Sequence, residues 1–85
     1  MLIGTQVAFN NEAMVWREEE IIFINPKYII AIEDYNMTPF KDNKNQILKH
    51  FWGYKITTTE KTYFITVEDR EKTYDYLKNY TPDRG

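Results

Sequence analysis

Before residue 67 every apolar run in the chain is too short for a helix, and the helical period begins only after it. Ile21-Ile22-Phe23-Ile24 is a continuous apolar run rich in β-branched residues, of strand length, and it stops at the turn signal Asn25-Pro26. Residues 28–35 form a second run, with Ile29, Ala31 and Glu33 on one face and Ile30, Ile32 and Asp34 on the other. These two runs are expected to pair. Upstream, residues 2–9 read as a first strand. Asn10-Asn11-Glu12 reads as a turn, because Asn tolerates left-handed geometry. An extended pattern resumes over 13–17, and Glu18-Glu19-Glu20 is a charged, solvated edge.

Residues 36–45 (NMTPFKDNKN) have loop composition and are longer than the usual hairpin loop of two to five residues. They are expected to form the tip of a protruding ribbon, with Phe40 exposed as a lid or partner contact. Residues 47–59 then alternate, with His50, Trp52, Tyr54 and Ile56 on one face and Lys49, Phe51, Gly53, Lys55 and Thr57 on the other. Glu60-Lys61 is a tight turn. In residues 62–67, Tyr63, Ile65 and Val67 share a face. From Glu68 the period changes. Asp69 is a suitable N-cap, Glu71 places negative charge in the first turn, and Tyr74, Leu77 and Tyr80 recur on one helical face until Pro82 forbids continuation. The pattern predicts one α+β, mainly β domain over residues 1–85. It has a small antiparallel sheet of four to five strands, the ribbon, and one C-terminal helix near 69–80. Ile22, Ile24, Ile30, Ile32, Ile65 and Leu77 are its expected core.

Composition narrows the function classes. With no cysteine there is no disulfide, no thiolate metal site and no Cys nucleophile. There is no serine, no glycine-rich phosphate loop, and a single histidine. The adjacent carboxylates (Glu18-Glu19-Glu20, Glu33-Asp34, Glu68-Asp69) are sequence neighbours, and strand neighbours point to opposite faces, so spacing alone makes no acid–base pair. A non-enzymatic protein without a cofactor is expected. The net charge of −2 supplies no basic field for a nucleic-acid polymer. No apolar run approaches the roughly 20 residues of a membrane span, and the N-terminal residues lack the pattern of a secretory signal. The expected location is cytoplasmic. Seven Tyr, five Phe and two Trp are many for so small a core, which points to a homo-oligomer with aromatics at an interface near residues 47–54.

Lys49-His50-Phe51-Trp52-Gly53-Tyr54-Lys55 is the most chemically suggestive stretch. Aromatic faces offer stacking, flanking cations offer contacts to phosphate, and His50 can serve as donor, acceptor or cation. Trp16-Arg17 is a second aromatic–cation pair and Phe40-Lys41 a third. The candidate ligand residues are therefore Trp16, Arg17, Lys49, His50, Trp52, Tyr54 and Lys55. Alternation sets Lys49 and Lys55 opposite Trp52, so stacking and phosphate contacts have to come from different strands or subunits. The plainer reading of the same stretch is a strand whose aromatics brace the sheet and whose lysines are solvated.

Ile24-Asn25-Pro26, then Ile29 and Ile32-Glu33, a threonine-rich strand with a tight turn, Tyr63, Ile65, Val67-Glu68-Asp69 and a final helix together resemble the small FlbD/SwrD-type flagellar-operon proteins over about residues 21–80. The resemblance implies a strand, "NP" turn, strand, strand–turn–strand, helix order and no catalytic residues. This chain adds an N-terminal segment and roughly residues 34–51 to that pattern. In kind, though not by motif, the chain is also similar to small phage-encoded anti-defence sponge proteins, which bind nucleotide signals between subunits. The leading expectation is a non-catalytic homo-oligomer that binds or sequesters a small planar anionic ligand such as a nucleotide. The alternative is a protein-interaction adaptor of the motility-accessory kind.

Overall fold

The computed structural model describes residues 1–80, the last two by backbone alone. Tyr80 as a member of the helical face, Pro82 as the helix stop and the tail 83–85 lie outside what it describes. The elements are β1 (Leu2–Asn10), β2 (Val15–Ile24), a 3-10 turn (Pro26–Tyr28), β3 (Ile29–Asn36), β4 (Phe40–Lys41), β5 (Ile47–Leu48), β6 (Trp52–Thr58), β7 (Thr62–Thr66) and α1 (Arg70–Tyr80). Over the described residues the protein is mostly β with one helix. Its single sheet runs β3-β6-β7-β1-β2-β4-β5, with seven strands rather than four to five. The stretch 47–59 divides into β5 and β6, and the presumed loop contributes β4. All neighbours are antiparallel except β2 and β4.

β2 and β3 do not pair, against expectation. β1 and β2 form a hairpin from Leu2↔Ile24 to Asn10↔Val15. Its turn is held by the Asn10 side chain, which accepts from the Glu12 and Ala13 amides at 2.9 Å, and by Met14 donating to the Asn10 carbonyl at 2.7 Å. A closure over so few residues costs less entropy than any longer-range pairing. The Asn25 side chain caps the following turn through the Lys27 amide at 3.1 Å, and β3 leaves to pair with β6 instead.

The sheet curls until its ends meet. β3 and β4 are separated by five strand-to-strand steps in the sheet order. In a flat sheet that is about 24 Å. Only residues 37–39 connect them, and the four Cα steps involved reach about 14 Å at full stretch. Hydrogen bonds fix the closure: the Met37 amide donates to the Phe51 carbonyl and the Trp16 amide to the Pro39 carbonyl, both at 2.9 Å. The ribbon therefore does not protrude. Met37, Phe40, Leu48 and Phe51 pack against the sheet while residues 43–47 at the turn stay exposed, and Phe40 is 2% exposed rather than a free lid.

Two cores result, one on each face. On the first, Leu2, Ile24, Tyr54, Ile56, Ile65 and Leu77 are buried against α1. On the second, Val7, Met37 and Phe40 pack with Trp16, Tyr35, Leu48, Phe51 and Phe64. Of the expected core, Ile24, Ile65 and Leu77 are buried and Ile22 and Ile32 are half-buried, but Ile30 is 50% exposed. A register shift between Ile29 and Ala31 lets both Ile29 and Ile32 reach the first core, which strict alternation would forbid, and turns Ile30 outward.

The helix begins where the change of period predicts. Asp69 caps it, its side chain accepting from the Lys72 amide at 3.0 Å. Leu77 is the helix's buried anchor. Leu77→Ala should cost about 2–4 kcal/mol in urea denaturation. A change below about 0.5 kcal/mol would show that α1 does not contribute to the first core.

Candidate binding cleft

α1 does not lie flat on the sheet. Between it and β3 runs a cleft of about 780 Å³, within the range of ligand-sized pockets. Its floor is apolar, from Pro26, Ile29, Ile32 and Leu77, and Tyr74 of α1 stands on its wall. Its ionised lining is three carboxylates, Asp34, Glu71 and Asp75, against two cations, Arg70 and Lys78.

Arg70, the first residue of α1, organises one end. Its guanidinium lies over the Tyr54 ring, 4.4 Å from the centroid. One nitrogen donates to the Trp52 carbonyl at 2.9 Å and the Gly53 carbonyl at 3.4 Å. The other donates to Asp34 Oδ1 at 2.5 Å. Tyr54 in turn donates its hydroxyl to the Arg70 carbonyl at 3.5 Å. The ion pair is exposed at both partners and contributes at most about 1 kcal/mol. The three acceptors nonetheless define the orientation of the guanidinium and tie the helix start to β3 and β6. Its donors point at protein oxygens, so Arg70 is already committed and is a poor phosphate fork.

Burial raises the Tyr54 phenol above its ordinary value of 10.0. The nearby Arg70 charge opposes the shift, while Asp34 and Tyr74 add to it. The folded protein therefore keeps the phenol neutral more strongly than the unfolded chain does. Stability from this group is fully present below pH 10.0 and is lost as pH climbs past that value toward the folded pKa. Urea midpoints taken from pH 8 to 11 should fall more steeply for the wild type than for Tyr54→Phe, which removes the titrating group. Equal slopes would place the phenol in contact with solvent.

The seven residues singled out by sequence are dispersed. Tyr54 alone lines the cleft, buried beneath Arg70, where its face is not open to a second ring. Trp52 is half exposed on the same face of β6, and Lys49 and His50 are exposed in the turn that precedes it. These three stay together. Lys55 faces the other way, paired across the sheet with Glu33 and Phe64. Trp16 sits half-buried in the second core, its ring 5.6, 5.8 and 6.0 Å from Phe9, Tyr35 and Phe64. Arg17 is exposed beside Lys41 in the β2–β4 pairing, at a shallow depression of about 230 Å³ that also holds Glu18 and Asp42. Sequence reading passed over Arg70, Asp34 and Tyr74. Arg70 carried one usable signal, its place directly after the helix cap, but nothing local says that the helix start folds over β6.

Among the described residues no group of three or more His, Cys, Asp or Glu side chains is placed to hold a metal ion, and no helix is long and apolar enough to cross a membrane. Comparison with family models, with curated proteins and with solved structures gave no match to the chain.

Proposed function

We propose that the protein is a non-catalytic interaction adaptor that takes an extended, apolar and basic peptide segment of a partner protein into the cleft between α1 and β3. The cleft's composition carries this reading: an apolar floor with an excess of carboxylates at its rim. Such a site favours alternating aliphatic and cationic side chains and disfavours a free phosphate.

A test uses ¹⁵N-labelled protein titrated with two synthetic peptides of alternating residues, Val with Lys and Val with Glu. The Val–Lys peptide should shift amides of residues 29–34 and 70–78, and Asp75→Lys should weaken its binding several-fold. Binding by neither peptide, or equal binding by both, would sink the reading.

A small planar anionic ligand remains a second reading, favoured by the exposure of Lys49, His50 and Trp52 together at the start of β6. Arg17, Trp16 and Lys55 lie elsewhere, so a second subunit would have to complete that site. Trp52→Ala should then weaken nucleotide binding by about 1–3 kcal/mol in calorimetry. The adaptor reading predicts no heat with mono-, di- or cyclic nucleotides.

A further inference from the structure

The hairpin β1–β2 carries a bare apolar surface away from the cleft. Leu2, Gly4, Ile22 and Ile24 face the first core. The intervening residues point to the opposite face, where Ile3 and Phe23 are cross-strand partners and Ile21 lies opposite Thr5. Residues 37–51 cover that face only at its other end, around Val7 and Trp16. Ile3, Ile21 and Phe23 are left 58%, 64% and 64% exposed. Among the described residues β2 is also an open edge along this stretch, for β4 pairs with it only at Trp16 and Arg17. An edge strand with unpaired backbone groups and large exposed apolar residues beside them is a template for another strand.

We propose that the occupant is a second copy of this chain, joined by antiparallel β2–β2 pairing about a two-fold axis at Ile22. The sequence of the edge is self-complementary in that register. Ile21 of one copy falls opposite Phe23 of the other, twice, on the bare face. Ile22 meets its own counterpart on the core side. Glu20 falls opposite Ile24 and Glu19 opposite Asn25, so no carboxylate faces a carboxylate. Moving the axis to Glu19 would instead set Glu18 against Glu20, and like charges directly opposite are repulsive. The glutamate run thus selects one register, and Pro26, which has no amide hydrogen, ends the ladder. The dimer would extend one sheet across both copies and set Ile21 and Phe23 of each against those of the other, continuing the apolar strip that Ile3 begins. It would leave both clefts open, so it can fail independently of the adaptor reading. It also puts the subunit interface on β2 rather than on residues 47–54.

The chain has no cysteine, so a single introduced thiol reports the register. Directly opposed residues on paired strands have Cα atoms about 4.5–5.5 Å apart, inside the range that a disulfide spans. Ile22→Cys should therefore oxidise to a covalent dimer rapidly. Glu20→Cys, whose counterparts would lie four residues apart along the strands, about 13 Å, should not. In sedimentation the wild type should run at twice 10.3 kDa, and Phe23→Lys, a change at an exposed position, should run as a monomer with its cooperative unfolding retained. A wild type that stays monomeric through the hundred-micromolar range overturns the proposal. So does a dimer that survives Phe23→Lys, or cross-linking no faster at residue 22 than at residue 20.

Discussion

Gly53→Ala should unfold the protein or bring it close to unfolding. A Cβ at this position would lie 2.5 Å from the Ile65 carbonyl oxygen, and 2.6 and 2.7 Å from the sulfur and terminal methyl of Met37. The Met37 atoms are the far end of a buried side chain and can give in part, but the carbonyl belongs to the β7 backbone and cannot. The role of Gly53 is space, since its φ is not positive. Relief requires β6 to move off β7 or residues 37–39 to lift from the sheet, and either opens the second core. The cost should reach or exceed the upper end of the about 1–3 kcal/mol typical of overpacking. A domain of this length has only about 4–13 kcal/mol in total. Gly4→Ala is the internal comparison. Its Cβ would meet Ile65 Cδ1 at 2.7 Å, the far end of a side chain, and the Thr66 carbonyl oxygen at 3.2 Å. Rotation of Ile65 can absorb part of this, so the loss should be smaller, about 1–2 kcal/mol. Urea denaturation of the two variants measures the difference. A Gly53→Ala variant within about 0.5 kcal/mol of wild type would refute the close approach of β6, β7 and Met37.

Phe40→Ala should cost about 3–5 kcal/mol, the loss expected for a fully packed aromatic. Phe40 pairs with Leu48 across β4–β5 and with Trp16 across β2–β4. Its ring stacks on Phe51 with centroids 4.1 Å apart and planes 15° from parallel. Removing it would leave a void beneath the segment that closes the sheet. Trp52→Ala is the contrast, because Trp52 is half exposed and its carbonyl, not its ring, holds Arg70. That change should stay below about 1 kcal/mol. Equal losses at the two positions would mean that residues 37–51 are not packed as described.

The contrast between Phe40 and Trp52 shows where local patterning misleads. Phe40 sits in a stretch of Asn, Lys, Asp and Pro, the composition of a solvated loop, and is core. Trp52 sits in an alternating strand on the same face as Tyr54 and Ile56, and is half exposed at the strand's first residue, where α1 meets its carbonyl through Arg70. Burial of Phe40 depends on Val7, Trp16 and Phe64, which come from three other strands. Periodicity records which residues share a face. It does not record what arrives to cover that face. The same gap separated the seven suspected ligand residues. Alternation correctly put Lys55 opposite Trp52 and Tyr54, but could not place Trp16 inside an aromatic cluster or lay Arg70 over Tyr54.

By itself the sequence determined what local physics decides. β-branched runs, the Asn25-Pro26 break, the turn at Glu60-Lys61 between β6 and β7 and the capped helix after Asp69 depend on residues close in the chain, and each lies where its pattern put it. Only the tertiary structure decided which strands became neighbours, the register shift at Ile30, the burial of Met37 and Phe40 and the cleft beside α1. Those depend on long-range pairing: the β1–β2 and β2–β3 connections are equally short, so loop closure does not choose between them, and β3 pairs instead with β6, distant in the chain. They depend also on curvature, because three residues between β3 and β4 oblige the sheet to close on itself.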